Sequence, residues 1–214
     1  MKLKGFIFDL DGVIVSTDEF HYLAWKHIAI QEQIPFDREI NNRLRGVSRM
    51  ASLDILLEKA NKSYSNSEKE ILAQKKNELY KQSLQSLKAE DMLPGAMDIL
   101  TFLRSKNVKL AIGSSSKNTS RILHQIGLDT YFDAVADGTD ISNSKPDPEV
   151  FLLAAKRLNL RPSECAVIED ATVGIEAAKA GGMVAIAIHD ATNSTFADYQ
   201  ISDLSEIKTL FSWQ

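Results

Sequence analysis

Only one cysteine, Cys165, occurs in the 214 residues, so no disulfide can form within the chain and a cysteine-built metal site has no second thiolate. No apolar run approaches the length of a membrane-crossing helix. The N-terminus passes from Met1-Lys2-Leu3-Lys4 straight into a strand pattern, without the apolar stretch and cleavage site of a secretory signal. Repeats and low-complexity tracts are absent as well. The formal net charge is only −4, which gives no reason to expect nucleic acid, although a local basic cluster can still hold an anion. These absences lead to the expectation of a cytoplasmic protein with no nucleic-acid or membrane partner. What remains is ordinary for a soluble chain: 44% hydrophobic and 25% charged residues, long enough for one substantial domain plus a smaller insertion.

Residues 5–10 read as a buried strand. From about 18 to 88 the pattern is almost wholly helical, with Phe20, Leu23, Ala24, His27 and Ile28 at helical spacing, and likewise Leu53, Leu56, Leu57 and Ala60. A more polar helix is predicted from about Ser67 to Leu87, with Asn66-Ser67 and Glu70 as its capping box. After Pro94-Gly95 the texture changes. Helices are predicted at 96–105, 118–126, 148–158 and 172–180, alternating with strands at 109–113, 134–136, 166–168 and 184–187. That alternation predicts an α/β fold, a doubly wound parallel sheet covered by helices on both faces. The strand at 5–10 must join it, because an isolated strand is not stable. The expected division is therefore a Rossmann-like core, residues 1–16 and 89–214, and an inserted helical cap, residues 17–88, hinged at crossings near 14–18 and 88–93.

The first strand ends in Phe8-Asp9-Leu10-Asp11-Gly12. Alternate residues of a strand share a face, so Asp9 and Asp11 aim at one place and repel unless a cation lies between them. Oxygen ligands of this kind suit Mg²⁺. One carboxylate can then serve as nucleophile and the other as proton shuttle. A calcium loop would need further acidic ligands and a closing Glu, which Val13-Ile14-Val15 does not supply. A strand ending in a plain Asp-Gly turn remains the simpler alternative.

Ligands bind beyond the carboxyl ends of strands in open parallel sheets, so the residues just after each strand matter most. The second strand is followed by Ser114-Ser115-Ser116-Lys117-Asn118, the third by a loop leading to Lys145 beside Pro146 and Pro148, and the fourth by Glu169-Asp170. Each has an ordinary use: Ser114 as a helix cap, Lys145 as a solvated lysine, Glu169 and Asp170 as first-turn acids favoured by the helix dipole. Those uses do not explain why four strand ends all deliver groups suited to phosphate or metal. Phosphoryl transfer does explain it, because a carboxylate attacking a phosphate dianion needs positioning and charge neutralisation. Mg²⁺ held by Asp9, Asp170 and a backbone carbonyl near Asp11 supplies part of that charge, and Lys145 the rest. Ser114 and neighbouring backbone N–H groups can hold an equatorial oxygen at a helix N-terminus.

These motifs in this order resemble those of the haloacid dehalogenase superfamily, whose phosphotransferases use an aspartyl-phosphate and Mg²⁺. Within it the chain is similar to the β-phosphoglucomutase family. Phe8–Ile14, His21 with Ala24-Trp25-Lys26, Leu44-Arg45-Gly46-Val47-Ser48-Arg49, Lys75-Lys76-Asn77, Ser114–Asn118 and Ser144-Lys145-Pro146 carry that resemblance. It implies Asp9 as nucleophile and Asp11 as general acid/base, with Mg²⁺ on Asp9, the Asp11 carbonyl and Asp170, and Glu169 beside them. Ser114, Ser115 and Lys145 are implied around the transferring phosphate. Arg49, Ser116, Lys117 and Asn118 are implied around a second, non-reacting one. His21, Lys76 and the Arg45-Gly46-Val47-Ser48 loop come from the cap, with Trp25 beside them chiefly as packing and Thr17 at the hinge. The implied reaction interconverts β-D-glucose 1-phosphate and 6-phosphate, with β-D-glucose 1,6-bisphosphate as activating intermediate. A monomer acting on a small-molecule sugar phosphate is expected.

The chain departs from that family's pattern at four places. Ser16 stands where aspartate is usual, Ala171 where serine often follows the acidic pair, Arg45 where lysine is usual, and Ser115 where alanine is usual. The hinge change keeps open a phosphatase with the same core, in which water accepts the phosphoryl group. A catalytically silent phosphosugar-binding protein is disfavoured by the intact Asp9, Asp11, Lys145 and Asp170.

Overall fold

The computed structural model describes residues 3–213. Six strands, β1 Gly5–Phe8, β2 Lys109–Gly113, β3 Ala134–Ala136, β4 Cys165–Glu169, β5 Val184–Ile188 and β6 Tyr199–Ile201, form one parallel sheet in the order β3-β2-β1-β4-β5-β6. The inserted stretch after β1 carries four helices: α1 Asp18–Gln31, α2 Arg38–Asn42, α3 Arg49–Leu57 and α4 Asn66–Ser83. Helix α5 (Ala96–Ser105) leads into β2, α6 (Thr119–Gln125), α7 (Glu149–Arg157) and α8 (Thr172–Ala180) connect later strands, and α9 (Ile207–Leu210) closes the chain. The expected doubly wound α/β architecture is the observed one.

Both faces of the sheet are covered, and the alternation of side chains along each strand decides which residue meets which layer. Phe6 and Phe8 of β1 join Leu110, Ile112 and Ile168 in a cluster closed by Ile99 and Leu103 of α5 and Ile122 of α6. Ile7, between them, points the other way, to Ala111, Val167, Val150, Phe151 and Ile175. All four residues of β1 are buried. Each large apolar side chain sequestered there contributes about 1.5–3 kcal/mol over leaving it in water. A third cluster lies within the inserted helices, built from Trp25, Ile28, Leu53, Leu56 and Leu72.

Two features place the functional end of the sheet. The chain winds outward from β1 to β3 and then returns past β1 to β4, so the strand order reverses between β1 and β4, and a crevice opens there. The register also puts Phe8 opposite both Ile112 and Ile168, so β1, β2 and β4 end at one level. The two connections to the inserted helices run side by side: Val15 pairs with Met92, and Leu93 N–H donates to the Ile14 carbonyl at 2.9 Å.

Three local expectations change. The capping box of α4 is Ser65 with Glu68, two residues before the predicted pair: Ser65 N–H donates to Glu68 Oε2 at 2.8 Å, and Ser65 Oγ accepts from Glu68 N–H. Ser67 and Glu70 have the same spacing, but Ser65 is the residue with the extended backbone a cap needs (φ −68°, ψ 161°). The first strand closes at Phe8, not at residue 10. Strand β6 escapes the apolar pattern because Tyr199 and Gln200 on this edge are exposed. No helix is long and apolar enough to cross a membrane among the described residues.

Candidate active site

Asp9 leaves β1 with its N–H donating to the Ile168 carbonyl at 3.0 Å, which seats it beside the end of β4. Asp9, Glu169 and Asp170 are all buried, and each offers a carboxylate oxygen within 4.8 Å of the others. Lys145 sits among them, 97% inaccessible, with Nζ 2.6 Å from Asp9 Oδ1 and 2.7 Å from Glu169 Oε2. Burial alone would pull the Lys145 ammonium down. The two carboxylates outweigh that and hold it above its ordinary value, so it stays charged. The second oxygen of Glu169 accepts from Ala171 N–H at 3.0 Å. Space for these carboxylates is made by glycine. A Cβ on Gly12, whose φ is +86°, would lie 2.2 Å from Asp170 Oδ2, and one on Gly174 would lie 2.1 Å from the Glu169 carboxyl carbon.

These residues fit a hard divalent cation. Three buried carboxylates face one lysine, all the donors are oxygen, and crowding has a visible cost. Asp170 is pushed well above the carboxylate range by burial first and then by Glu169 and Asp9, against the opposing pull of Arg45. A cation such as Mg²⁺ relieves that crowding.

Asp11 is held differently. Its carboxylate accepts from the Thr17 N–H at 2.6 Å and from the Thr17 hydroxyl. Thr17 Oγ1 lies 2.8 Å from the Tyr80 hydroxyl, so Tyr80 can donate to Thr17 while Thr17 donates to Asp11. Burial, then the neighbouring Asp18 carboxylate, lift the Asp11 pKa to about 7, against the hydrogen bonds from Thr17. A carboxyl titrating there is matched to proton transfer at neutral pH.

The inserted helices supply cations. Lys76 is buried with Nζ 2.7 Å from His21 Nδ1, and His21 Nε2 lies 3.7 Å from Asp11 Oδ2. Burial first, then Lys76 and Arg49, depress the His21 pKa well below its usual value, so the ring is neutral. Its Nδ1 can then accept from Lys76, the tautomer that carries the ring proton on Nε2, on the side of Asp11. Lys76 Nζ also lies 5.0 Å from the Trp25 ring centroid and 4.6 Å from that of Tyr80. Arg49 opens α3, and no carboxylate pairs with it among the described residues.

One cleft of about 550 Å³ joins these groups. Asp9, Asp11, Ser114, Lys145 and Asp170 line its core side. His21, Trp25, Lys76 and the run Arg45, Gly46, Val47, Ser48 and Arg49 line the cap side. Ser115, Ser116, Lys117 and Asn118 line the turn after β2. Two expected site residues do not line it: Thr17 and Glu169 are buried behind Asp11 and Lys145, where Thr17 donates to Asp11 and Glu169 accepts from Lys145. Two others are engaged otherwise than expected: Ser48 Oγ caps α3 by accepting from Ala51 N–H, and the Arg45 guanidinium is occupied by carboxylates. Trp25 is 98% inaccessible. Ser114 does not cap α6; its Oγ accepts from Ser116 N–H at 3.2 Å and braces the turn.

Sequence reasoning missed Tyr80, which steadies Thr17, and Asn77, whose Oδ1 accepts from the Asn118 side-chain amide at 3.0 Å across the cleft. Asn77 closes the recognised Lys75-Lys76-Asn77 run, which was the available signal, although no site role was read from it. Tyr80 lies one helical turn beyond Lys76, and a buried tyrosine needs a partner for its hydroxyl.

The chain is similar to known proteins. A β-phosphoglucomutase of Bacillus subtilis (strain 168) is 43% identical over 207 residues, covering 96% of this chain and 92% of the relative. A phosphorylated carbohydrates phosphatase of Thermotoga maritima is 33% identical, covering 85% of this chain and 82% of the relative. The crystal structure of a β-phosphoglucomutase from Clostridium difficile superposes with a TM-score of 0.90 at 37% identity, covering 96% of this chain and 93% of that one. The sequence profile of haloacid dehalogenase-like hydrolases matches residues 3–182, a span that takes in β1, the inserted helices and every strand end that meets the cleft. An enzyme, then, and by both sequence and fold the chain belongs to the haloacid dehalogenase-like hydrolase family.

Proposed function

We propose that the chain is a Mg²⁺-dependent phosphomutase interconverting β-D-glucose 1-phosphate and β-D-glucose 6-phosphate through phosphorylated Asp9 and β-D-glucose 1,6-bisphosphate. One observation carries this reading. A single cleft is lined both by Asp9, Lys145 and Ser114 and by a second anion-suited group, Arg49 with Ser116, Lys117 and Asn118. A phosphatase needs the first group alone, whereas a bisphosphate bound in two orientations needs both. Arg49 suits the distal phosphate because its planar fork can grip two oxygens. Ser115 Oγ, buried with no partner among the described residues, is a further hydroxyl a phosphate oxygen can satisfy.

In the first half-reaction the C6 oxygen of β-glucose 1-phosphate attacks phosphorus on phosphorylated Asp9. The Asp9 O–P bond breaks, the C6 O–P bond forms, and Asp11 takes the hydroxyl proton. The bisphosphate turns over, and an Asp9 oxygen attacks the C1 phosphoryl group while Asp11 returns its proton to the leaving C1 oxygen. Lys145 holds positive charge against the transferring oxygens throughout, and Glu169 aims it. Tyr80, Thr17 and His21 keep Asp11 turned to receive and deliver its proton. Asp9, Asp170 and the Asp11 carbonyl would hold Mg²⁺, which would supply further neutralisation of the developing charge.

Residues 17–88 act in this reading as a cap on a core of residues 1–16 and 89–214. Their own hydrophobic cluster and the paired crossings at Val15 and Met92 support that division. Closure excludes water, which would otherwise hydrolyse phosphorylated Asp9.

The test is turnover of β-glucose 1-phosphate with Mg²⁺ and catalytic β-glucose 1,6-bisphosphate, following glucose 6-phosphate and free phosphate together. Glucose 6-phosphate without matching phosphate, abolished in Asp9→Asn, is the expected result. Stoichiometric phosphate would identify a sugar-phosphate phosphatase, the reading that Ser16 at the hinge and the Thermotoga relative favour.

A further inference from the structure

Phosphoryl transfer to sugar in preference to water depends on how long the cap stays down over Asp9, so side-chain contacts spanning the cleft bear directly on outcome. The loop that enters α3 makes one set of them. At Gly46, φ is +73°, and a Cβ there would lie 2.9 Å from Val173 Cγ2 and 3.0 Å from Ala171 Cβ. The cap backbone thus rests directly on the core loop after β4. The neighbouring side chain, Arg45, extends over the core and meets three carboxylates. Its guanidinium lies 2.8 Å from both Asp18 Oδ2 and Asp170 Oδ2, and pairs through its other terminal nitrogen with Asp190.

Asp190 has no part in the cleft. It belongs to the turn after β5, its side chain is 74% exposed, and it stands outside the residues lining the cavity. Asp18 is at the first position of α1, beside the hinge, so one guanidinium ties the hinge side of the cap to the far side of the core. A planar fork with separate terminal nitrogens can serve carboxylates on different sides at once, which a single ammonium cannot do as well. Without Arg45 between them, Asp18 and Asp190 would repel.

We propose that Asp190 is a positioning residue that acts through Arg45, clamping the Arg45–Gly46 loop onto Ala171 and Val173 and so lengthening the closed state. The contact exists only when cap and core meet. Its partner on the core is exposed, so its effect is modest and sensitive to salt: exposed pairs change an equilibrium about two- to fivefold, and screening at about 1 M salt removes most of that.

The consequence for product partition rests on the mutase reading; the clamp itself does not. Spin labels on Lys59→Cys in the cap and Ser163→Cys in the core report the ratio of short to long separations by pulsed electron resonance. Asp190→Asn lowers the short-to-long ratio about two- to fivefold in dilute buffer, Asp190→Arg lowers it further, Asp190→Glu restores it, and high salt erases the differences. In the mutase assay Asp190→Asn raises free phosphate relative to glucose 6-phosphate by a similar factor. If the unsubstituted enzyme already releases stoichiometric phosphate, the mutase reading fails while the distance ratio still decides the clamp. Unchanged separations in both Asp190→Asn and Asp190→Arg in dilute buffer overturn it.

Discussion

The core wall of the cleft gathers carboxylates, whereas its cap wall gathers basic side chains. On the core side Asp9, Glu169 and Asp170 crowd around Lys145. Burial and mutual repulsion push Glu169 and Asp170 up, against the opposing pull of Lys145 and Arg45. On the cap side His21, Lys76 and Arg49 share a buried space, and burial followed by their mutual repulsion pulls His21 and Lys76 well down. Burial has acted alike on both, since it always disfavours the charged form. The walls differ in what each lacks. A divalent cation would answer the first, and in the proposed mutase reading the phosphates of a sugar bisphosphate would answer the second. Rigidity differs too: core groups stand at strand ends fixed by the sheet register, whereas cap groups ride on helices reached through two paired crossings.

The contrast can be broken at several points. The largest effect is expected at the nucleophile, where Asp9→Asn removes the attacking group, with turnover falling on the order of 10⁴-fold or more. Circular dichroism should be unchanged. Next comes Lys145→Met, which strips the core wall of its internal cation. Removing one member of a buried ion pair costs about 3–5 kcal/mol, so the urea midpoint should fall sharply in a chelator and recover in part with Mg²⁺. Equal loss with and without Mg²⁺ would count against the carboxylates as a cation site.

Arg49→Lys tests the cap wall. It keeps the charge but loses the two-pronged grip, and we expect roughly a tenfold fall in kcat/KM with β-glucose 1,6-bisphosphate, about 1.4 kcal/mol. Hydrolysis of a simple aryl phosphate, which has no second phosphate, should be nearly unaffected. Equal losses on both substrates would remove the distal site from the mechanism. The smallest effect is in the pH dependence of stability without metal. Burial, against the pull of Lys145, raises the Glu169 pKa to about 7. Its contribution is therefore complete below the ordinary carboxylate pKa and is lost as pH rises through about 7. His21 is depressed, so its contribution is present above its usual pKa and lost as pH falls toward the depressed one. Melting curves in chelator should thus show a flatter alkaline limb for Glu169→Gln and a flatter acid limb for His21→Asn.

Much of this was legible in the chain itself. Short continuous apolar runs and period-3.6 patterns located β1, β2, β4, β5 and α5 to α8 within a few residues, because strands buried on both faces and amphipathic helices each need their own arrangement of apolar groups. Strand β6 was not legible, since two of its three residues are exposed and carry no apolar pattern. The Ser65–Glu68 box was displaced because Ser67–Glu70 offers the same spacing, and only backbone conformation separates them. Asp9, Asp11, Lys145 and Asp170 could be read from the residues just beyond each strand. The bracing roles of Thr17 and Glu169 could not, because a threonine or glutamate that holds a reacting group looks the same in sequence as one that touches a ligand.

By itself, then, the sequence determined the sheet, the helical insertion and the chemical kinds of group delivered to one edge, because those depend on local periodicity and on which residues end each strand. Tertiary structure alone decided how these groups engage. Lys145 reaches Asp9 across 136 residues, Tyr80 reaches Thr17 across 63, and Arg45 spans 145 to meet Asp190. Hydrogen-bond direction, proton location and the sign of each pKa shift depend on burial and on neighbours that only packing brings together.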